Sequence, residues 1–189
     1  SSFELAKVAD HVDAIDFSTR FIRNAMSLQE HGQVRYMVVN EGELTSLKQV
    51  ALAELALQET AQKIAFSQGD ACNLKPSYTG YDVIFAGNLI DRLYESAQFL
   101  GRIHERINTG GFLVLTSPYT WLTEFTNQDH WIGGKKINGE NVTTLDGLKA
   151  VLGSHFNLYV DPIDVPFVIR ETARKHQHTI AQMTIWQCK

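Results

Sequence analysis

Three observations predict an α/β fold built on a doubly wound, mostly parallel sheet. Strand-like and helix-like runs alternate along the chain, the strongest strand run is almost wholly apolar, and two further strand-like runs close the chain with only a polar connector between them. At 189 residues, with 44% hydrophobic and 20% charged residues, the chain can bury one sizeable core, so a single domain spanning 1–189 is expected.

The elements follow in order. Phe3, Leu5, Ala6 and Ala9 open the chain at helical spacing, and His11 to Asp16 alternates like a short strand that stops at an acidic residue. Ser18 is placed to cap a helix whose apolar side is Phe21, Ile22, Ala25 and Met26, and Gly32 ends it. Val34 to Asn40 reads as a strand. Leu44 to Gln62, rich in Leu, Ala, Glu and Gln, reads as a helix, and the stretch at about 33–62 reads as an insertion between core strands. Lys63 to Gln68 and Tyr81 to Asn88 are the next strands; the second is apolar enough to be buried on both faces. Leu93, Ala97, Leu100, Ile103 and Ile107 recur at helical spacing and predict a helix over 89–107, closed by Gly110-Gly111 before a strand from Phe112 to Thr116. Thr144 caps a helix through Leu152, and Val165 to Glu171 and Thr179 to Trp186 form a C-terminal antiparallel hairpin.

The bulk numbers exclude several function classes. A net charge of −4 without any long cationic run gives no electrostatic reason to expect nucleic acid as a partner. Two cysteines, Cys72 and Cys188, are too few and too distant for a metal-binding spacing or a disulfide framework, so no metal is expected and a cytoplasmic location is the default. No apolar stretch approaches the length of a membrane span, and no signal peptide is recognisable, so no membrane partner is expected.

In open α/β sheets a ligand lies beyond the carboxyl ends of the strands, so the residues just after each strand carry the functional expectations. Asp16, with Phe17 beside it, is placed to accept hydrogen bonds from two ribose hydroxyls; the alternative is an N-cap carboxylate. Asp70 and the backbone of Ala71 suit an adenine edge, against a plain Gly-Asp turn. Asn88 can face the methionyl part of an adenosyl cofactor, or cap a helix. Tyr119 and Trp121 can sandwich a flat heteroaromatic acceptor, or simply pack. Arg170 can clamp a carboxylate, or pair with Glu171 on the surface. His176 or His178, with Asp91 behind them, can take a proton near neutral pH, or lie on an exposed turn.

A parallel sheet finished by an antiparallel hairpin resembles the Rossmann-like architecture of class I methyltransferases. The whole chain resembles the C-terminal methyltransferase domain of ovothiol-biosynthesis enzymes, the mercaptohistidine N-methyltransferase family. Runs such as Ile15-Asp16-Phe17-Ser18 recur in many methyltransferases. The specific ones are Asn88-Leu89-Ile90-Asp91-Arg92-Leu93, Ser117-Pro118-Tyr119-Thr120-Trp121, and the long run from Asp164 through Arg170-Glu171-Thr172-Ala173-Arg174-Lys175-His176-Gln177-His178. The resemblance implies S-adenosylmethionine as cofactor and methyl transfer to an imidazole nitrogen of 5-thiohistidine, a small-molecule acceptor. It also implies fusion to, or action with, an iron-dependent sulfoxide synthase that is no part of this chain. The glycine-rich turn that such a cofactor site needs is not in the sequence. It would immediately precede Ser1, so the first strand and that turn are expected to be missing and the domain N-terminally incomplete.

Overall fold

The computed structural model describes residues 1–189. The chain divides into two compact units, Ser1–Ala71 with Arg170–Gln177, and Cys72–Ile169 with His178–Lys189.

The first unit begins with a short helix α1 (Ser2–Leu5), strand β1 (Val12–Asp16) and helix α2 (Thr19–His31). Helix α2 starts and stops where its punctuation residues stand. Ser18, extended, accepts from the Phe21 amide at 3.4 Å, and Gly32 closes the helix in the left-handed region at φ 69°. Strand β4 (Ile64–Gln68) pairs in parallel with β1, Val12 opposite Ile64 and Asp16 opposite Gln68. Leu52, Leu57 and Ala61 form a small core with Phe3 and Leu28 against it, and the Phe3 and Phe66 rings lie 5.6 Å apart. Polar side chains close the backbone ends around it. Gln29 donates to the carbonyls of Ala61 and Ile64 at 2.6 and 2.7 Å, and Lys63 donates to those of Ala6 and Ala9 at 3.1 Å.

Between α2 and β4 the helix expected over 44–62 is replaced by an antiparallel hairpin. Strands β2 (Gln33–Glu41) and β3 (Leu44–Ala51) pair from Gln33↔Ala51 to Glu41↔Leu44, with Gly42 turning the chain at φ 52°. The Leu, Lys and Gln of β3 favour helix only by tenths of a kcal/mol. That preference loses to a full ladder of hydrogen bonds with β2. A 3-10 helix over Gln58–Lys63 then leads into β4.

The second unit holds a sheet with strand order β10–β11–β6–β5, and β9 also pairs with β11. Its members are β5 (Tyr81–Gly87), β6 (Ile107–Ser117), β9 (Phe156–Leu158), β10 (Ile163–Arg170) and β11 (His176–Cys188). Strands β5 and β6 are parallel, whereas β11 runs antiparallel to β6 with Gln182 opposite Ser117. The connector 171–175 is too short for a crossover, so β10 and β11 form the expected closing hairpin. The core gathers Leu113 and Leu115 of β6, Trp186 of β11, Phe99, Leu100 and Ile103, and Leu148 and Leu152, all buried. A side chain of this size gains about 1.5–3 kcal/mol from such burial.

Four expectations are corrected in this unit. Strand β5 is not buried on both faces: it has β6 on one side only, and Val83 and Phe85 are 52% and 41% exposed. The helix expected over 89–107 shrinks to α3 (Ser96–Arg102), flanked by 3-10 turns at Ile90–Arg92 and Ile103–Arg106. Leu93 is extended at φ −85°, ψ 139°, and the Ser96 hydroxyl donates to the Ile90 carbonyl at 2.5 Å, so the backbone before α3 is held away from helical geometry. Strand β6 starts earlier than Phe112 because it runs through Gly110-Gly111, where Gly110 at φ 81° accompanies a register shift opposite Tyr81 and Val83. Helix α4 (Thr144–Leu152) is capped by Thr143 rather than Thr144. Thr143 forms a capping box with Asp146, whereas the Thr144 hydroxyl accepts from the Trp121 indole at 2.9 Å. A small hairpin of β7 (Lys135–Ile137) and β8 (Glu140–Val142) turns on Asn138-Gly139, both at positive φ, a hairpin signal the sequence carried unread.

Candidate functional site

In the first unit the parallel register puts the turns after β1 and β4 at the same end of the pair. Asp16 divides its duties there. One carboxylate oxygen accepts from the Ser18 amide at 2.7 Å, and the Asp16 carbonyl accepts from the Gly69 amide at 3.0 Å. The second carboxylate oxygen has no partner within the chain. The cap on α2 is made by Ser18, so Asp16 is not needed for it. Phe17 is 73% exposed. A side chain at Gly69 would bring its Cβ within 2.8 Å of Ile15 Cγ2, so the β4 turn needs a glycine for its close approach to β1. Asp70 and Ala71, half-buried, follow it into a 3-10 turn. Arg170 and His176 belong to the hairpin tip and are exposed. Arg170 donates to the Thr172 carbonyl at 3.0 Å, and Glu171 pairs with Lys175 at 2.6 Å rather than with Arg170.

In the second unit the carboxyl ends of β5 and β6 lie side by side, and each is followed by a non-glycine residue at positive φ, Asn88 at 50° and Tyr119 at 55°. Asparagine tolerates this region; tyrosine does so at a cost of about 1–3 kcal/mol, which the surroundings must offset. The Asn88 amide donates to the Thr116 carbonyl at 2.8 Å, and its side-chain oxygen accepts from the Thr116 hydroxyl at 3.3 Å.

The surroundings that hold Tyr119 are built on Asp91, which is 1% exposed. Its Oδ1 accepts from the Ser117 hydroxyl at 2.9 Å; its Oδ2 accepts from the Thr120 amide at 3.1 Å, the Thr120 hydroxyl at 3.0 Å and Arg92 at 3.0 Å. Arg92 also donates to the Thr120 carbonyl at 2.8 Å and lies 4.9 Å over the Phe125 ring. Ser117 in turn accepts from the Tyr119 amide at 3.0 Å. The buried charge is thus fully hydrogen-bonded and ties the loop after β6 to the turn after β5. Tyr119 donates its phenol proton to Gln182 at 3.0 Å, and burial, with the Asp91 charge behind it, pushes its pKa up to about 12.

The chemistry-bearing residues therefore fall differently from the sequence reading. Asp91 bonds to Ser117, Thr120 and Arg92, and to neither histidine. His178 is exposed, and because Gln182 stands opposite Ser117 it lies about 13 Å further along β11, past the end of β6. Trp121 is a core residue, 8% exposed and 6.1 Å from Trp131 in a stacked pair. Gln182, Thr120 and Arg92 carry geometry that spacing did not assign to them; the only cue for Gln182 was a polar residue inside an apolar strand. No group of three His, Cys, Asp or Glu side chains is arranged to hold a metal ion. No helix is long and apolar enough to cross a membrane.

No family model matches the sequence, and no curated protein matches it. Solved structures do match in three dimensions. A protein of echinomycin biosynthesis that converts a disulfide bond into a thioacetal group aligns with a TM-score of 0.61 at 11% identity, over 100% of this chain and 70% of its own. A SAM-dependent methyltransferase from Methanosarcina mazei aligns at 0.58 and 13% identity, over 99% and 86%. The N-methyltransferase NodS from Bradyrhizobium japonicum WM9, in complex with S-adenosyl-L-homocysteine, aligns at 0.56 and 11%, over 98% and 70%. The chain therefore has the Rossmann-like α/β fold of the S-adenosylmethionine-dependent methyltransferases.

Proposed function

We propose that the chain transfers a methyl group from S-adenosylmethionine to an imidazole nitrogen of 5-thiohistidine. The observation that carries the reading is the meeting of two of its three specific sequence runs. Asn88 to Leu93 and Ser117 to Trp121 join, through Asp91, at the carboxyl ends of adjacent parallel strands, where α/β folds bind ligands. The fold, shared with methyltransferases, supports the donor.

Taken unit by unit, the residues present suit parts of the donor. Asp16 keeps one carboxylate oxygen unpartnered for ribose hydroxyls, with exposed Phe17 beside it for a flat base, and Asp70 and Ala71 would take the adenine edge. Asn88, its side-chain oxygen engaged by Thr116, would take the methionyl part. S-adenosylmethionine supplies a methyl group already electrophilic on its sulfonium, so the protein's task is alignment. Holding two reactants in line is worth about 7–11 kcal/mol where geometry is fixed, and the loop tied down by Asp91 supplies such a fixed surface. The imidazole proton must leave to a base; exposed His176 and His178 are the candidates, and Arg170 at the hairpin tip would meet the acceptor carboxylate.

The test uses the full-length natural protein with S-adenosylmethionine and a panel of acceptors, read by the mass of the methylated product. Methylation of 5-thiohistidine far faster than of histidine is the expected result. Equal rates on the two would defeat the acceptor, and absence of any transfer would defeat the reaction. A second reading, transfer to a sulfur nucleophile, is favoured by the sulfur chemistry of the echinomycin protein that shares the fold. It predicts methylation on the thiol rather than the ring, which fragmentation of the product distinguishes.

A further inference from the structure

Gln182 stands on β11 opposite Ser117, at the end of the sheet where β5 and β6 deliver Asn88 and Tyr119. Its side-chain oxygen is taken. Tyr119 Oη lies 3.0 Å from Gln182 Oε1, and of these two atoms only the phenol carries a proton, so the phenol donates. The phenol keeps that proton well above the neutral range, because burial and the Asp91 charge oppose its ionisation. With Oε1 fixed, the amide cannot flip, and the NH2 end of a half-buried side chain is left without a partner in the chain.

We infer that Gln182, oriented by Tyr119, is a specificity-determining residue that donates a hydrogen bond from Nε2 to an acceptor-only group of the methylated substrate. The inference rests on the methyl-transfer reading and deepens it. A fixed amide NH2 welcomes a carboxylate and rejects an ammonium, so the site selects a substrate that carries a carboxylate, as an amino acid does. Tyr119 acts through Gln182 and is a positioning residue. Its strained backbone, held by the Ser117 hydroxyl, brings the phenol to Gln182.

The experiment compares the full-length natural protein with Gln182→Leu, Gln182→Glu, Tyr119→Phe and the Gln182→Leu/Tyr119→Phe double variant. Donor affinity is measured by calorimetry, and kcat and KM are measured for 5-thiohistidine and for its decarboxylated amine. Gln182→Leu is expected to leave donor affinity within about twofold and to raise the KM for 5-thiohistidine about tenfold with little change in kcat. Gln182→Glu, which replaces the donor by a negative oxygen, is expected to raise it further. Tyr119→Phe should raise KM about threefold and add nothing in the Gln182→Leu background, since its effect passes through Gln182. If the Gln182→Leu effect disappears with the decarboxylated amine, the recognised group is the carboxylate; if it persists unchanged, the inference is overturned. An unmoved KM with intact donor binding overturns the inference alone, as does a loss of kcat and donor affinity together, which marks a merely structural residue. Failure of the unsubstituted protein to bind the donor overturns the methyl-transfer reading and the inference with it.

Discussion

Replacing Asp91 with alanine removes the one carboxylate on which the loops after β5 and β6 converge. The substitution leaves the Ser117 hydroxyl, the Thr120 amide and the Thr120 hydroxyl without their acceptor, in a place where Asp91 itself is 1% exposed. Breaking a buried ion pair from one side costs about 3–5 kcal/mol. Two facts lower the figure here. The Arg92 side chain is 35% exposed and can regain water, and it keeps its bond to the Thr120 carbonyl. A loss of about 3 kcal/mol is therefore expected, which for a chain of this size lowers Tm by roughly 6–12 °C. Asp91→Asn should lose about half as much, because an amide oxygen still serves Ser117 while its NH2 meets donors on the other side. The assay is thermal unfolding followed by tryptophan fluorescence, which is selective: all three tryptophans, Trp121, Trp131 and Trp186, lie in the second unit. A Tm for Asp91→Ala within about 2 °C of the parent, below what one lost kcal/mol produces, would refute the assignment of Asp91 as the tie between the loops.

Two further outcomes follow from the same geometry. Tyr119 has its pKa raised to about 12 from 10.0, so the folded state holds the phenol proton more tightly than the unfolded chain does. Its contribution to stability is whole below pH 10 and is lost as pH rises through about 12. Denaturant midpoints taken from pH 9 upward should fall more steeply for the parent than for Tyr119→Phe, and parallel curves would contradict the burial of the phenol. Gly147→Ala, in the middle of α4, should gain about 1 kcal/mol by helix propensity alone. It is instead expected to destabilise by about 1–3 kcal/mol, because the added Cβ would run into the Ile132 carbonyl; a rise in Tm would show that the two segments are not packed as described.

Much of the fold was legible in the sequence because the signals are local. Ser18 and Gly32 bracket α2 through contacts with their near neighbours, and the strand-like runs at 63–68 and 112–116 mark strands whatever they pair with. The closing hairpin followed from the shortness of its connector. What failed were inferences that needed a partner. The residues of β3 favour helix until β2 is laid beside them, and the helical spacing runs from Leu93 although Leu93 is extended and α3 begins only at Ser96, whose hydroxyl donates to the Ile90 carbonyl. The candidate site shows the same division. Sequence position alone put Asp16, Asn88 and Tyr119 after strands, since strand ends are read from periodicity. Only the tertiary structure decided that Asp91 serves Ser117 and Thr120, 26 and 29 residues away, that Trp121 is core, and that Tyr119 reaches Gln182 across 63 residues. Periodicity and capping are set by neighbours along the chain, whereas the role of a buried polar side chain is set by whichever distant donor or acceptor the packed sheet brings within 3 Å or so of it.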